Sequence, residues 1–351
     1  MPQPPYPVHE SVVDRLDPEY AAFYQKYIID KQQVHLQPVE ASRSSGILIP
    51  GAGPHLPVGN TEDFTIGRAE STGPDIKVRC FTPKGLKPAA GWPVFIWYHG
   101  GGWVLGDINT ENVIATNLCS RGRCVVISPD YRYVSLPRAS DHCANMTCRL
   151  APEDPFPAAV HDAWETVLWA LGAGKEILGL DTSRIATGGS SAGGNLAAIM
   201  CQRAVARQTC NFRLQLLSVP VVDNTADTTN NASYKENEHV PALPAAKMLW
   251  YRNHYLPDTK DWANPESSPL FWEGDWSALP PAVLVLGELD VLRTEGEQFS
   301  QKLRDAGVRA ETHIMKGQPH PFIAMDGALE AGRQAITYFC EALLAAVYLP
   351  N

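Results

Sequence analysis

The hydrophobic and polar positions of this chain alternate between strand-like and helix-like patterns. Residues 76–82 alternate apolar and polar side chains, which is typical of a strand with one face in the core. Short continuous apolar runs, typical of parallel strands covered on both faces, lie at 93–98, 125–128, 214–222 and 282–286. Helical patterns lie between and after these runs, at 109–120, 158–172, 194–208, 296–306 and 329–349. The alternation of strand and helix predicts an α/β fold with right-handed crossovers.

Two stretches depart from this alternation. Residues 18–30 carry aromatic side chains at helical spacing, and residues 223–278 are rich in tryptophan and proline and too long for a plain connection. We expect them to form a helical cap over the strand ends. The predicted organisation is residues 1–50 and 223–278 as the two parts of the cap, with residues 51–222 and 279–351 as the two parts of the core.

The composition limits the classes of function. The 351 residues carry a formal net charge of −9 without a cluster of Lys and Arg, so nucleic acid is not an expected partner. Neither a secretory signal nor an apolar run long enough to cross a bilayer is visible, so we expect a cytoplasmic protein without stable membrane insertion. The eight cysteines have no zinc-like spacing, and we expect free thiols and no metal or organic cofactor.

Four features each lie just past a strand-like run, and these runs are 93–98, 184–188, 282–286 and 309–315. The features are His99 with the three glycines after it, Ser191 at the centre of a Gly-x-Ser-x-Gly motif, Asp290 and His320. Sites in parallel α/β sheets are built at the carboxyl ends of strands. Each feature alone has an ordinary alternative: a turn serine, an aspartate that caps a helix, a surface or core histidine, a flexible glycine loop. Their joint occurrence in the order Ser191, Asp290, His320 favours a catalytic site.

The chemistry explains these residue types. A serine hydroxyl is a poor nucleophile at neutral pH and needs a base within hydrogen-bond reach, and histidine has a suitable pKa. A carboxylate on the far nitrogen of the imidazole fixes its tautomer. Three consecutive glycines after a strand allow backbone N–H groups to point at the oxyanion of a tetrahedral intermediate.

These motifs resemble the hormone-sensitive-lipase-like family of α/β-hydrolases, which includes fungal and bacterial carboxylesterases. The similarity covers roughly residues 75–345 and rests on 99–103, 189–194, 290–293 and His320 with its neighbours. The resemblance implies an α/β-hydrolase fold, with a mostly parallel eight-stranded sheet flanked by helices and a helical cap. It also suggests a homodimer, and the short intron interpreted below would suit a fungal source.

The resemblance further assigns roles to single residues. The implied catalytic residues are Ser191, Asp290 and His320. The implied oxyanion-hole donors are the N–H groups of Gly101, Gly102 and Ala192. Trp103 ends the glycine motif and is expected to contact the substrate, while Ser190 departs from the family, which usually carries Asp or Thr there.

Residues 133–149 interrupt one further family pattern. The family has Asp-Tyr-Arg followed directly by Leu-Ala-Pro-Glu, whereas in this chain the two halves of the pattern, at 130–132 and 150–153, are separated. The intervening residues have neither a helical nor a strand period. We interpret 133–149 as a translated retained intron, with a genuine surface loop as the alternative. Its removal is expected to raise the soluble yield or kcat.

The sequence therefore predicts a serine carboxylic-ester hydrolase. It would act through an acyl-enzyme on short-to-medium acyl or aryl esters, and its partner would be a small-molecule ester. An amidase, a deacetylase or a lactonase with the same three residues stays open, because all of them share the acyl-transfer step. A catalytically inactive small-molecule receptor is the alternative outside the enzymes, although such proteins usually lack the base or the nucleophile.

Overall fold

An eight-stranded sheet is the frame of the part of the molecule that the structure describes. The computed structural model describes residues 5–44, 50–131 and 151–349. Within this part of the chain the strands are β1 (Asn60–Ile66), β2 (Ile76–Thr82), β3 (Trp92–Tyr98), β4 (Val125–Pro129), β5 (Leu180–Ser190), β6 (Gln215–Ser218), β7 (Ala282–Leu289) and β8 (Ala310–Pro319). They form one eight-stranded sheet in the order β1-β2-β4-β3-β5-β6-β7-β8. The pairs β1–β2 and β2–β4 are antiparallel and the others are parallel.

Helices pack on the sheet, and several of them connect one strand to the next. They are α1 (Glu10–Val13), α2 (Pro18–Tyr27), α3 (Val39–Ser44), α4 (Asn112–Gly122), α5 (Ala158–Leu171), α6 (Ala173–Leu178), α7 (Ala192–Arg207), α8 (Ala232–Glu236), α9 (Ala245–Tyr255), α10 (Arg293–Asp305) and α11 (Glu330–Tyr348). Helix α4 packs with α11, and α5 packs with α7, and each of these four helices also contacts strands of the sheet. The expected α/β fold with an eight-stranded, mostly parallel sheet is confirmed.

The strands follow the apolar pattern with two differences. The side chains of β3 and β4 are buried throughout, as expected for strands covered on both faces. Strand β6 is shorter than the apolar run 214–222, because Val219 has a φ of +40° and leaves the extended conformation. Strand β1 was not predicted, since it is an edge strand whose side chains are mostly exposed and show no apolar period.

Residues 5–44 and 223–278, which we call the cap segments, form short helices instead of strands. In the first segment the Asp17 side chain caps α2, which buries Tyr20, Phe23 and Tyr24. In the second segment α9 packs against the 3₁₀ turn Val34–Leu36 of the first. Two stretches far apart in the sequence therefore meet, and the division of the chain into cap and core stays a prediction.

Membrane-spanning helices and metal-binding groups were searched for in the described residues. In the described ranges no helix is long and apolar enough to cross a membrane. The same ranges contain no group of three or more His, Cys, Asp and Glu side chains that could hold a metal ion. Residues 133–149, the interpreted intron, lie outside the described residues.

Candidate active site

Ser191 lies on a strained turn between β5 and α7. Its backbone has φ +57° and ψ −118°, which a residue other than glycine adopts only when its surroundings enforce it. The Ser191 N–H donates to Ser218 O at 2.8 Å, which ties the turn to the end of β6. A Cβ on Gly193 would lie 2.0 Å from Tyr98 O, so the second glycine of the motif is needed for the close crossing of helix and strand. The motif therefore folds as a strand–turn–helix elbow.

His320 and Asp290 form a hydrogen-bonded pair at the ends of β8 and β7. Asp290 Oδ2 lies 2.9 Å from His320 Nδ1, and both side chains are buried. The second carboxylate oxygen of Asp290 accepts from the Leu292 N–H at 3.0 Å. Asn237, in the second cap segment, donates from Nδ2 to Asp290 O at 3.0 Å and holds the loop from outside. With Nδ1 engaged by the carboxylate, Nε2 is the nitrogen left for a reacting group.

The glycine loop after β3 takes conformations that only glycine adopts without strain. Gly101 has φ +134° and Gly102 has φ +61°. A Cβ on Gly101 would lie 1.9 Å from Leu105 O, and one on Gly102 would lie 2.3 Å from the Tyr251 ring. Ala192 is the first residue of α7, so its N–H has no acceptor within the helix. These are the three residues expected to donate to an oxyanion.

The His99 side chain is hydrogen-bonded to the backbone of this loop. Its Nδ1 lies 2.7 Å from Gly100 O, and burial lowers its pKa to about 4, so the ring is neutral and donates from Nδ1. The ring stacks on Tyr131 at 4.2 Å between centroids, and the Tyr131 hydroxyl donates to His99 O. The histidine of the motif is therefore a buried structural residue, one of the ordinary alternatives considered for a single histidine.

Trp103, which directly follows Gly102, is packed against the second cap segment. It is 1% exposed and stacks on Tyr255 of α9 at 4.2 Å, nearly parallel. It is not among the residues that line the cavity described next. Its position favours a packing role between the loop and the cap segment instead of the expected contact with substrate.

One cavity brings the predicted residues together. Its volume is about 480 Å³, and Ser191, His320, Gly101 and Gly102 line it. The cap segments supply most of the remaining wall. Their lining residues are Tyr27, Ile28, Lys31, Gln32, Gln33, Val34, Gln37, Ala242, Leu243, Lys247, Met248 and Tyr251. The sequence predicts that both stretches cover the strand ends, but it assigns none of these residues to the site, because no motif marks them.

Glu111 is a buried carboxyl beside the loop that the sequence analysis also missed. It precedes α4 with φ +61°, accepts from Trp97 Nε1 at 3.0 Å and lines the cavity. Burial raises its pKa to about 7, against the opposing effect of Trp97, the Gly100 N–H and the Ser190 hydroxyl. The last two face Glu111 Oε1 without reaching full hydrogen-bond geometry. An acid that titrates near neutral pH therefore lies next to the glycine loop.

Comparison with known proteins agrees with this geometry. Residues 95–324 match the family model described as alpha/beta hydrolase fold. Because the match covers more than half of the chain, the chain belongs to the α/β-hydrolase family, in its hormone-sensitive-lipase-like carboxylesterase type.

The relatives include proteins named as esterases. The chain is 45% identical to an AB hydrolase superfamily protein of the fungus Schizosaccharomyces pombe, over 97% of this chain and 96% of the relative. It is 34% identical to an arylesterase of Saccharolobus solfataricus, over 95% and 99% of the two chains. The solved structure of a hyperthermophilic esterase from Pyrobaculum calidifontis matches with a TM-score of 0.80 and 32% identity, over 94% and 98% of the two chains. The protein is a carboxylic-ester hydrolase.

Proposed function

We propose that this hydrolase cleaves esters in two steps through an acyl-enzyme on Ser191. The observation that supports this most is that Ser191, the buried His320–Asp290 pair and the glycine loop all meet at one cavity. His320 Nε2 takes the hydroxyl proton of Ser191 as Oγ attacks the ester carbonyl carbon. The carbonyl oxygen becomes an oxyanion, which the N–H groups of Gly101, Gly102 and Ala192 stabilise.

The remaining steps return the enzyme to its starting state. The carbon–oxygen bond to the alcohol breaks, and the alcohol leaves with the proton from His320. Water then gives its proton to His320 and attacks the acyl carbon, the bond to Ser191 Oγ breaks, and the acid leaves. Asp290 stays ionised throughout and holds the imidazole in the tautomer that has Nε2 free.

The cavity fits short-to-medium acyl or aryl esters. Its volume of about 480 Å³ lies in the range of small-molecule sites. Its apolar side chains, which suit an alkyl chain or an aromatic ring, are those of Tyr27, Ile28, Val34, Leu243, Met248, Tyr251 and Met325.

The test compares two adjacent serines. Ser191→Ala should lower kcat for p-nitrophenyl butyrate by about 10⁶-fold, as expected when a nucleophile of such a triad is removed. Ser190→Ala removes a neighbouring buried hydroxyl that makes no hydrogen bond within the described residues, and it should retain kcat within about tenfold. A fluorophosphonate probe should label the wild type and Ser190→Ala. Labelling of Ser191→Ala at the wild-type rate would contradict the proposal.

A further inference from the structure

Lys247 is a cation in the cavity wall that the proposed reaction does not use. It lies in the first turns of α9 and lines the cavity together with Ser191 and His320. Its Nζ donates to Ala242 O at 2.7 Å, and no ion pair to an Asp or Glu forms within the described ranges. An ammonium carries three donors, so at least one of them is not engaged by that single carbonyl.

The surroundings of Lys247 show a positive charge without compensation. Burial lowers the pKa of Lys247 to about 8, so the side chain is still mostly protonated at neutral pH. His35, in the 3₁₀ turn Val34–Leu36, has its pKa lowered first by burial and then by the charge of Lys247. His35 Nδ1 is itself buried without a hydrogen-bond partner. Charges withdrawn from water are normally paired, and no acidic side chain of the described residues pairs with this half-buried ammonium.

The rest of the cavity wall reinforces this charge. Lys31 also lines the cavity, on the first cap segment. Glu111 is the acidic residue among the lining residues. It lies against Gly100 and Ser190, in the part of the wall formed at the carboxyl ends of the strands, which we call the sheet edge. The cap wall is therefore cationic in a chain whose formal net charge is −9.

We propose that Lys247 binds a carboxylate carried by the ester substrate itself. The substrate class would be esters with a free carboxylate, either half-esters of dicarboxylic acids or acyl esters of hydroxy acids. This inference rests on the proposed function, because Ser191 must attack a molecule whose other end contacts Lys247. The ester bond breaks as described above, and the carboxylate takes no part in the chemistry.

The first test compares matched charged and neutral esters. Monoethyl glutarate against ethyl valerate places the carboxylate on the acyl side, and 4-acetoxybutyrate against butyl acetate places it on the alcohol side. For each pair, the measured quantity is kcat/KM for the charged ester divided by kcat/KM for the neutral ester. In the pair whose carboxylate reaches Lys247, Lys247→Met should lower this ratio by about tenfold or more, as expected for a lost charge-assisted hydrogen bond. Lys247→Arg keeps the charge and should preserve most of the ratio.

The control is Lys260→Met, which removes the same charge from the surface of the second cap segment. Lys260 is 74% exposed and pairs with Asp258 at 2.8 Å, so its loss should leave the ratio within about twofold. Hydrolysis of ethyl valerate by the wild type tests the proposed function on its own. If both ratios are unchanged in Lys247→Met while ethyl valerate is hydrolysed, the carboxylate site is wrong and the esterase proposal stands.

The second test needs no turnover. Monoethyl glutarate and 4-acetoxybutyrate are titrated calorimetrically into Ser191→Ala, and the tighter ligand should bind at least about tenfold more weakly when Lys247→Met is added. Equal affinities of Ser191→Ala and the double variant for the tighter ligand would overturn the inference. A Lys247→Arg variant without any preference for the charged esters would also overturn it.

Discussion

The sheet edge and the cap segments meet at one cavity but are built in different ways. At the sheet edge, Ser191, Asp290 and His320 each follow a strand, and hydrogen bonds such as Ser191 N–H to Ser218 O fix the backbone around them. On the cap side, the lining comes from residues 27–37 and 242–251. These two stretches do not follow strands of a common sheet. We propose that the sheet edge carries out the reaction and that the cap segments select the ester that reaches it.

Among changes that test the contact between the two regions, the largest effect is expected at Gly102. A Cβ there would lie 2.3 Å from the Tyr251 ring of α9, and φ is +61°. Gly102→Ala should therefore displace the loop and lower kcat by about 10²–10³-fold, the usual cost of losing an oxyanion-hole donor. Steady-state kinetics with p-nitrophenyl butyrate measures it.

A matched control separates strain from collision. Gly307 also has a positive φ, of +80°, but a Cβ there would have no atom within 4 Å. Gly307→Ala should cost about 1 kcal/mol of stability and leave kcat unchanged. If Gly102→Ala keeps its kcat, the loop is not positioned by the contact between sheet edge and cap.

The next effect concerns the charge of Glu111 under the glycine loop. Its pKa of about 7 means that the carboxyl ionises as the pH rises from 6 to 8, which puts a negative charge beside the place where an oxyanion forms. The wild-type kcat/KM should therefore decline above pH 7. Glu111→Gln keeps an acceptor for Trp97 Nε1 and cannot ionise, so it should exceed the wild type by about tenfold at pH 8.5. The pH profile of kcat/KM measures this.

Stability gives an independent check on Glu111. A carboxyl whose pKa is raised in the folded protein keeps its proton while the unfolded chain loses it, so its contribution falls as pH rises from its ordinary pKa of 4.5 to about 7. Glu111→Gln should remove this loss of stability. The Tm of Glu111→Gln relative to that of the wild type should therefore rise as the pH increases from 4.5 to 8. Identical alkaline limbs and identical Tm shifts in the two proteins would show that Glu111 does not ionise in this range.

The same contrast explains what the sequence could and could not predict. Continuous apolar runs identify buried strands such as β3, and the residues that follow strands identify the elbow at Ser191. Edge strand β1 has no such run, because its side chains are mostly exposed. Glu111 and Lys247 carry no motif, and only burial and neighbours distant in the sequence make them chemically unusual. Trp103 belongs to the glycine motif, yet its position is set by packing on Tyr255.

The smallest effect is expected from deletion of 133–149, which lie outside the described residues. The described residues on either side are both fixed to the glycine loop. Tyr131 stacks on His99 and donates to its carbonyl oxygen, while the Ala151 N–H donates to Trp103 O at 3.3 Å. Because both flanks are anchored, the deletion should leave Ser191 and the loop in place and raise soluble yield or kcat by only about twofold, well below the effect of a lost donor.

Expression yield and p-nitrophenyl butyrate turnover of the two proteins, with and without 133–149, measure this effect. Equal yield and equal kcat would mean that the segment is a tolerated surface loop, and a loss of more than tenfold would mean that the segment itself supports the loop that carries Gly101 and Gly102. Sequencing of the mature transcript tests the intron separately, since a message that retains these codons rules it out. A rise in kcat with unchanged KM would place the effect on the sheet edge, because the cap walls that contact the ester would then be unaltered.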